Sequence, residues 1–141
     1  MLLITGTGRC GTALAAEVFG VGHEDCTSPD VPLEQWSVVS TSSWLLLPWL
    51  EKIGKPPEAL IFGLKRRRSE CVESLSATLF RRNNAWRRFA FANAKARGPG
   101  DFYDEWNERL EPFVDVWLQS EMLFKGRPKV NARRVRPRRI K

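Results

Sequence analysis

The chain has 141 residues, with 23 Lys and Arg against 16 Asp and Glu and a formal net charge of +7; that length carries one domain with a genuine core. Three cysteines without a CxxC pair, together with a single histidine, indicate neither a disulfide framework nor a zinc site. The charge is concentrated, because residues 125–141 hold nine Lys and Arg and no acidic residue, leaving 14 basic against 16 acidic residues elsewhere.

In chain order, residues 2–6 form an apolar run of strand length that leads into the glycine-rich turn Gly6-Thr7-Gly8-Arg9-Cys10-Gly11-Thr12. Residues 13–19 then predict a helix. A further short strand is expected near Val21 or Val38. The run Trp44-Leu45-Leu46-Leu47-Pro48-Trp49-Leu50 is too short to span a bilayer and predicts a buried helix, with Ser42 or Ser43 as its N-cap. Lys55-Pro56-Pro57 marks a loop before a second strand over 59–65. After a basic turn, Cys71, Val72, Leu75 and Leu79 share one face of a predicted helix. Residues 84–97 predict an alanine-rich helix stopped by Gly98-Pro99-Gly100. Residues 101–124 carry Trp106, Leu110, Phe113, Val114, Trp117 and Leu118 at helical spacing, and Pro112 kinks or divides that helix. These aromatic residues are expected to pack the helices onto the sheet, and they could also supply the face of a homodimer. The N-terminus lacks a positive n-region and its glycines break any h-region, so no targeting segment and a cytoplasmic location are expected.

The first turn is the richest in chemistry. A buried strand, a glycine loop and a helix N-terminus make an anion cradle, because glycine lets backbone N–H groups close around phosphate or sulfate. Arg9 adds a guanidinium fork for the same oxygens. The spacing from Gly6 to Gly11 fits a Walker A loop, but Thr12 stands where its lysine belongs and Ala13 where its magnesium-holding hydroxyl belongs. Mg-nucleotide hydrolysis, and with it a nucleoside-phosphate kinase, is therefore disfavoured. Gly6, Gly8 and Gly11 also spell GxGxxG, with Glu24 and Asp25 near the ribose-binding spacing, although Gly20-Val21-Gly22-His23 is a poor strand. A dinucleotide site and a ligand-free turn both stay open at this point. Cys10 lies where a helix N-terminus lowers a thiol pKa; its plainer role is a small residue that fits the turn.

Arg9-Cys10-Gly11-Thr12, after a strand and before a helix, resembles the 5′-phosphosulfate loop of the sulfotransferases that use 3′-phosphoadenosine 5′-phosphosulfate (PAPS). A second match is Leu60-Ile61-Phe62-Gly63-Leu64-Lys65-Arg66 followed by Ser74, eight residues after the arginine. The family places such an Arg and Ser on the 3′-phosphate. Where members often carry Asp-Pro next, this chain has Arg67-Arg68, which leaves open which arginine binds. Gly22-His23-Glu24 is similar to the Gly-His-Glu of many bacterial and viral relatives. The resemblance spans roughly residues 2–80 and implies an α/β, P-loop-like three-layer fold, with a small parallel sheet covered by helices. It implies one domain over 1–124, in which Arg9, Cys10, Gly11, Thr12 and Ala13 cradle the 5′-phosphosulfate and Arg66 and Ser74 hold the 3′-phosphate. Glu24, or His23 after it, would serve as general base toward an unknown hydroxyl or amine acceptor, and Arg9 would stabilise the group in transit.

The basic segment 125–141 has two readings: closure of residues 130–134 over the 3′-phosphate, which the resemblance to sulfotransferases implies, or a solvated polyanion-binding tail. No aromatic residue interrupts it, so a base-stacking platform and specific nucleic-acid binding are not expected. The rival to an enzyme is a catalytically silent nucleotide- or polyanion-binding protein of the same fold. The short chain favours that rival, since an acceptor pocket needs walls.

Overall fold

The computed structural model describes residues 1–124. The basic segment, including the 130–134 stretch, lies outside the described residues. The elements are β1 (Leu2–Thr5), α1 (Thr12–Phe19), β2 (Gly22–His23), β3 (Thr41–Ser42), α2 (Leu46–Ile53), β4 (Leu60–Lys65), α3 (Arg68–Ala77), α4 (Ala85–Asn93), α5 (Pro99–Leu110), β5 (Val116–Gln119) and α6 (Ser120–Phe124). The strands form one five-stranded, all-parallel sheet in the order β2-β3-β1-β4-β5. The fold is α/β, the sheet flanked by helices as a three-layer arrangement.

β1 is the central strand. Leu3 and Ile4 are fully buried, as a parallel strand covered on both faces requires. Leu3 faces Thr41 on one side and Ile61 on the other. The chain leaves β1 toward β2 and leaves β4 toward β5, in opposite directions across the sheet. Right-handed crossovers therefore put the connecting helices on opposite faces. α1 packs against α6, whereas α3 and α2 pack against α5. The same reversal opens a crevice beyond the carboxyl ends of β1 and β4, where open parallel sheets bind ligands.

The expected strands over 2–6 and 59–65 are β1 and β4. The short strand near Val21 is β2, whereas Val38 precedes β3 by three residues. Ser42 and Ser43 do not cap α2. Ser42 belongs to β3 and its hydroxyl donates to the Thr12 carbonyl at 2.6 Å, while Ser43 accepts from the Leu45 N–H at 3.1 Å one turn early. α2 starts after Leu45 and ends at Gly54, whose φ of 91° requires glycine. α4 stops at Asn93, short of residue 97, because the Glu105 carboxylate takes the Lys95 and Ala96 N–H groups at 2.9–3.1 Å. α3 ends at Ala77, so Leu79 lies beyond it. The expected aromatic packing is present: Trp44 meets Phe89, Phe102 and Trp106 with ring centroids 5.7–6.2 Å apart, and Phe102 and Trp106 are fully buried.

The larger correction is β5. The helix expected through residue 124 ends at Leu110, and Pro112 divides it from a strand rather than from a second helix. Asp115 docks the chain on β4. Its N–H donates to the Ile61 carbonyl at 2.8 Å, and its carboxylate accepts the Ile61 N–H at 2.9 Å and pairs with Lys55. Trp117 then lies opposite Gly63, with Lys65 Nζ 4.4 Å from its ring centroid. A Cβ at Gly63 would sit 2.5 Å from the indole and 3.0 Å from Val114. No helix among the described residues is long and apolar enough to cross a membrane.

Gly63→Ala should therefore destabilise the fold by about 1–3 kcal/mol through overpacking. Gly98→Ala, with nothing within 4 Å of its added Cβ, should stay within about 0.5 kcal/mol. Urea denaturation of both variants checks this, and equal midpoints would contradict the Trp117 packing.

Candidate functional site

The turn after β1 opens a cavity of about 670 Å³ at the carboxyl end of the sheet, a volume suited to a small-molecule ligand. Gly8, Arg9, Gly11, Thr12 and Ala13 line it from this turn, His23 and Glu24 from the end of β2, and Arg66 from the end of β4. Local geometry explains the turn. Gly8 has φ 83° and Gly11 has φ 105°, both in the left-handed region. A Cβ at Gly6 would collide with the Cys10 sulfur, so the chain doubles back tightly on itself. Gly11 is the N-cap of α1 and provides no side-chain cap. The first N–H groups of α1 are thus left for a ligand, at the positive end of the helix dipole.

Arg9 and Glu24 are the non-glycine residues with positive φ among those described, at 57° and 56°. Both line the cavity. Such a backbone costs about 1–3 kcal/mol per residue and concentrates at functional sites. At Glu24 it is held by the N–H donating to the Ser42 carbonyl at 3.0 Å.

One wall is cationic. Arg9 Nε donates to Ser74 Oγ at 2.9 Å, and Arg66 Nη1 donates to the Arg9 carbonyl at 2.9 Å. The Arg66–Ser74 spacing in sequence is therefore joined in space through Arg9. Arg67 and Arg68 do not share this position. Arg67 pairs with Glu70 at 2.7 Å, and Arg68 forms a two-pronged pair with Asp104 at 2.9 Å. Of the three consecutive arginines, Arg66 alone lines the cavity, although it also approaches Glu70 at 3.5 Å.

The opposite group is Thr12, His23 and Glu24. His23 Nε2 lies 3.3 Å from Thr12 Oγ1 and 3.6 Å from the Glu24 carboxylate. Burial pushes the Glu24 carboxyl above its ordinary value of 4.5, and the nearby His23 opposes that shift. Asp25 turns instead to the Thr41 hydroxyl at 2.8 Å.

Cys10 is present only through its main chain. Its side chain is fully buried, and burial pushes the thiol up to about 12. The helix N-terminus does not activate it. Ser74 is likewise not a lining residue, but it anchors the Arg9 guanidinium.

Several contributing residues carry no sequence signal of their own. Ser120, 1% exposed, donates to the Cys10 carbonyl and also lies 3.1 Å from the Lys65 carbonyl. It ties the two loops together. Thr7 Oγ1 meets the Gly8 carbonyl at 3.2 Å and Cys71 Sγ at 3.3 Å, which pins the turn to α3. Trp44 lies under Gly8 and lines the floor. Leu79 and Arg82 from the α3–α4 turn and Trp86 from the start of α4 also line the cavity. Asn84 could be found from sequence as the N-cap of α4, and its side chain accepts the Arg87 N–H at 3.1 Å.

Compared with protein-family models, curated proteins and solved structures, the chain matches none. The site therefore rests on its own chemistry. It combines three lining arginines, Arg9, Arg66 and Arg82, and an uncapped helix end, suited to anionic oxygens, with a half-buried carboxylate suited to a proton.

Because the folded state raises the Glu24 pKa, its stabilising contribution is complete below pH 4.5 and is lost as pH rises through the raised value. Glu24→Gln should therefore be more stable than the parent at pH 7, with the difference closing below pH 4.5. Thermal unfolding at several pH values checks this; a variant less stable at neutral pH would contradict a desolvated carboxylate.

Proposed function

We propose that the protein is a sulfotransferase that moves a sulfuryl group from 3′-phosphoadenosine 5′-phosphosulfate to a hydroxyl or amine acceptor. The observation that carries this reading is the continuous chain Arg66–Arg9–Ser74, with both links at 2.9 Å, beside the uncapped start of α1. It offers two adjacent anion positions, which is what a nucleotide phosphorylated at both ends needs. The absent Walker lysine, replaced by Thr12, argues against a Mg-nucleotide in the same loop.

The residues fit that cosubstrate. Gly8 and Gly11 let backbone approach the phosphosulfate closely, and the first turn of α1 presents N–H groups to it. Arg66 holds the 3′-phosphate, with Ser74 steadying the guanidinium between the two anions. Bound there, the cosubstrate supplies a sulfuryl group whose S–O bond to the 5′-phosphate breaks, the electron pair leaving with the phosphate as the acceptor oxygen or nitrogen takes the sulfur.

The chain's own groups do the rest. Glu24 takes the acceptor proton, and its raised pKa brings the carboxylate closer to the operating pH, where a general base is most effective. His23 is the second candidate base; bridging Thr12 and Glu24, it orients the carboxylate. Arg9 faces the charge that develops in transfer, and it is preorganised by its bond to Ser74 and by the left-handed backbone beneath it.

Calorimetric titration with adenosine 3′,5′-bisphosphate tests the binding. The parent should bind it in preference to ATP-Mg, and Arg66→Ala should weaken binding by about 10- to 150-fold, the loss of one charge-assisted hydrogen bond. A preference for ATP-Mg, or binding of neither, would sink the proposal. Labelled-sulfate transfer should fall by about 100-fold or more in Glu24→Gln. Bisphosphate binding without transfer in the parent would favour the silent nucleotide-binding protein.

A further inference from the structure

We infer that the wall formed by Leu79, Arg82 and Trp86 is the acceptor subsite, and that it selects a ring-shaped acceptor bearing a carboxylate or sulfate as well as its hydroxyl. This rests on the transfer reading above and names its substrate class.

The first argument is charge. Three arginines line the cavity, Arg9, Arg66 and Arg82, against a single acidic residue, Glu24. Arg9 and Arg66 are already engaged with each other's loop and with Ser74. Among the described residues the Arg82 side chain has no hydrogen-bond or ion-pair partner, in contrast to Arg67, Arg68 and Arg109, which are all paired with carboxylates. Arg81, its chain neighbour, adds positive charge and has no ion-pair partner among the described residues. A concave site that keeps an unpaired cation attracts an anion into it. The two phosphate positions already have their cations, so Arg82 calls for a third anion, carried by another molecule.

The second argument is shape. Trp86 lines the cavity with 36% of its surface exposed, and Leu79 lies beside it in the same wall. An indole and an aliphatic side chain make a face on which a flat or saturated ring stacks, and a guanidinium next to it reads a substituent of that ring.

The third argument is orientation. An anionic acceptor is drawn toward Arg82 and repelled from the Glu24 carboxylate. Its charged end therefore lies at the α3–α4 turn, leaving the uncharged hydroxyl as the end that can approach Glu24. Attraction at one end and repulsion at the other give selectivity that neither gives alone.

The test uses the full chain saturated with adenosine 3′,5′-bisphosphate and two probe pairs that differ in charge, 4-hydroxybenzoate with 4-hydroxybenzyl alcohol and glucuronate with glucose. By calorimetry, the charged member of at least one pair should bind about 10-fold or more tightly than its neutral partner, the scale of one hydrogen bond to a charged group. Arg82→Gln should abolish that preference while leaving bisphosphate affinity unchanged, and Trp86→Ala should weaken both members of the pair. Equal binding within both pairs, no acceptor binding, or an Arg82→Gln variant that loses bisphosphate instead would overturn this inference alone. Failure of the parent to bind bisphosphate at all would overturn the nucleotide reading and this inference with it.

Discussion

The buried hydroxyl of Ser120 is the junction on which the cavity depends. It donates to the Cys10 carbonyl in the turn after β1 and lies against the Lys65 carbonyl at the end of β4. Gly11 packs beside it, and the φ of 105° there, rather than the space, is what favours glycine. These two loops carry the cationic residues Arg9 and Arg66, so their separation fixes the distance between the two arginines. Ser120 can reach both only because β5 has paired with β4 and delivered the start of α6 to that spot. The geometry at Cys10 is thus set by a residue 110 positions later. A second tie, from Arg66 to the Arg9 carbonyl, adds a solvent-facing brace to the buried one.

Much of this was legible because short-range patterns carried it. The apolar runs of β1 and β4, the glycines between β1 and α1, and the Arg66–Ser74 spacing are each local, and each appears in the cavity or directly behind it. What was not legible depended on distant partners. β5 has helical spacing on paper: Trp106, Leu110, Phe113, Val114 and Trp117 can all fall on one face. The Asp115–Ile61 pairing and the flat surface of Gly63 turn Val116 and Trp117 into strand, and neither contact is visible from the segment itself. β3 was similarly obscured, because two polar residues, Thr41 and Ser42, form a fully buried strand through hydrogen bonds to Asp25 and Thr12. The α3–α4 turn reads as an ordinary basic stretch until the fold brings it over the cavity.

Charge and backbone strain meet at the same positions. Arg9 and Glu24 both line the cavity, each in a left-handed conformation that disfavours its own side chain. Neither residue is placed where stability alone would put it. The fold compensates with the apolar core around Trp44, Phe102 and Trp106, which lies beneath the turn and supplies a rigid base for it. Trp44 belongs to both, packing on Phe89 within the core and on Gly8 at the cavity floor. The turn thus rests on a packed aromatic floor, whereas Arg82 and Trp86 at the rim are exposed.

The sealed sulfur of Cys10 has a practical consequence. A thiol at the mouth of an anion-binding loop would ordinarily compete for alkylating and oxidising reagents and so make ligand binding sensitive to redox conditions. Here the sulfur is fully buried, against Gly6, and the more accessible thiol is that of Cys26. Modification of Cys10 requires the loop to come away from Gly6. Its labelling rate is thus a clock for opening of the turn after β1, read from a side chain buried beneath it.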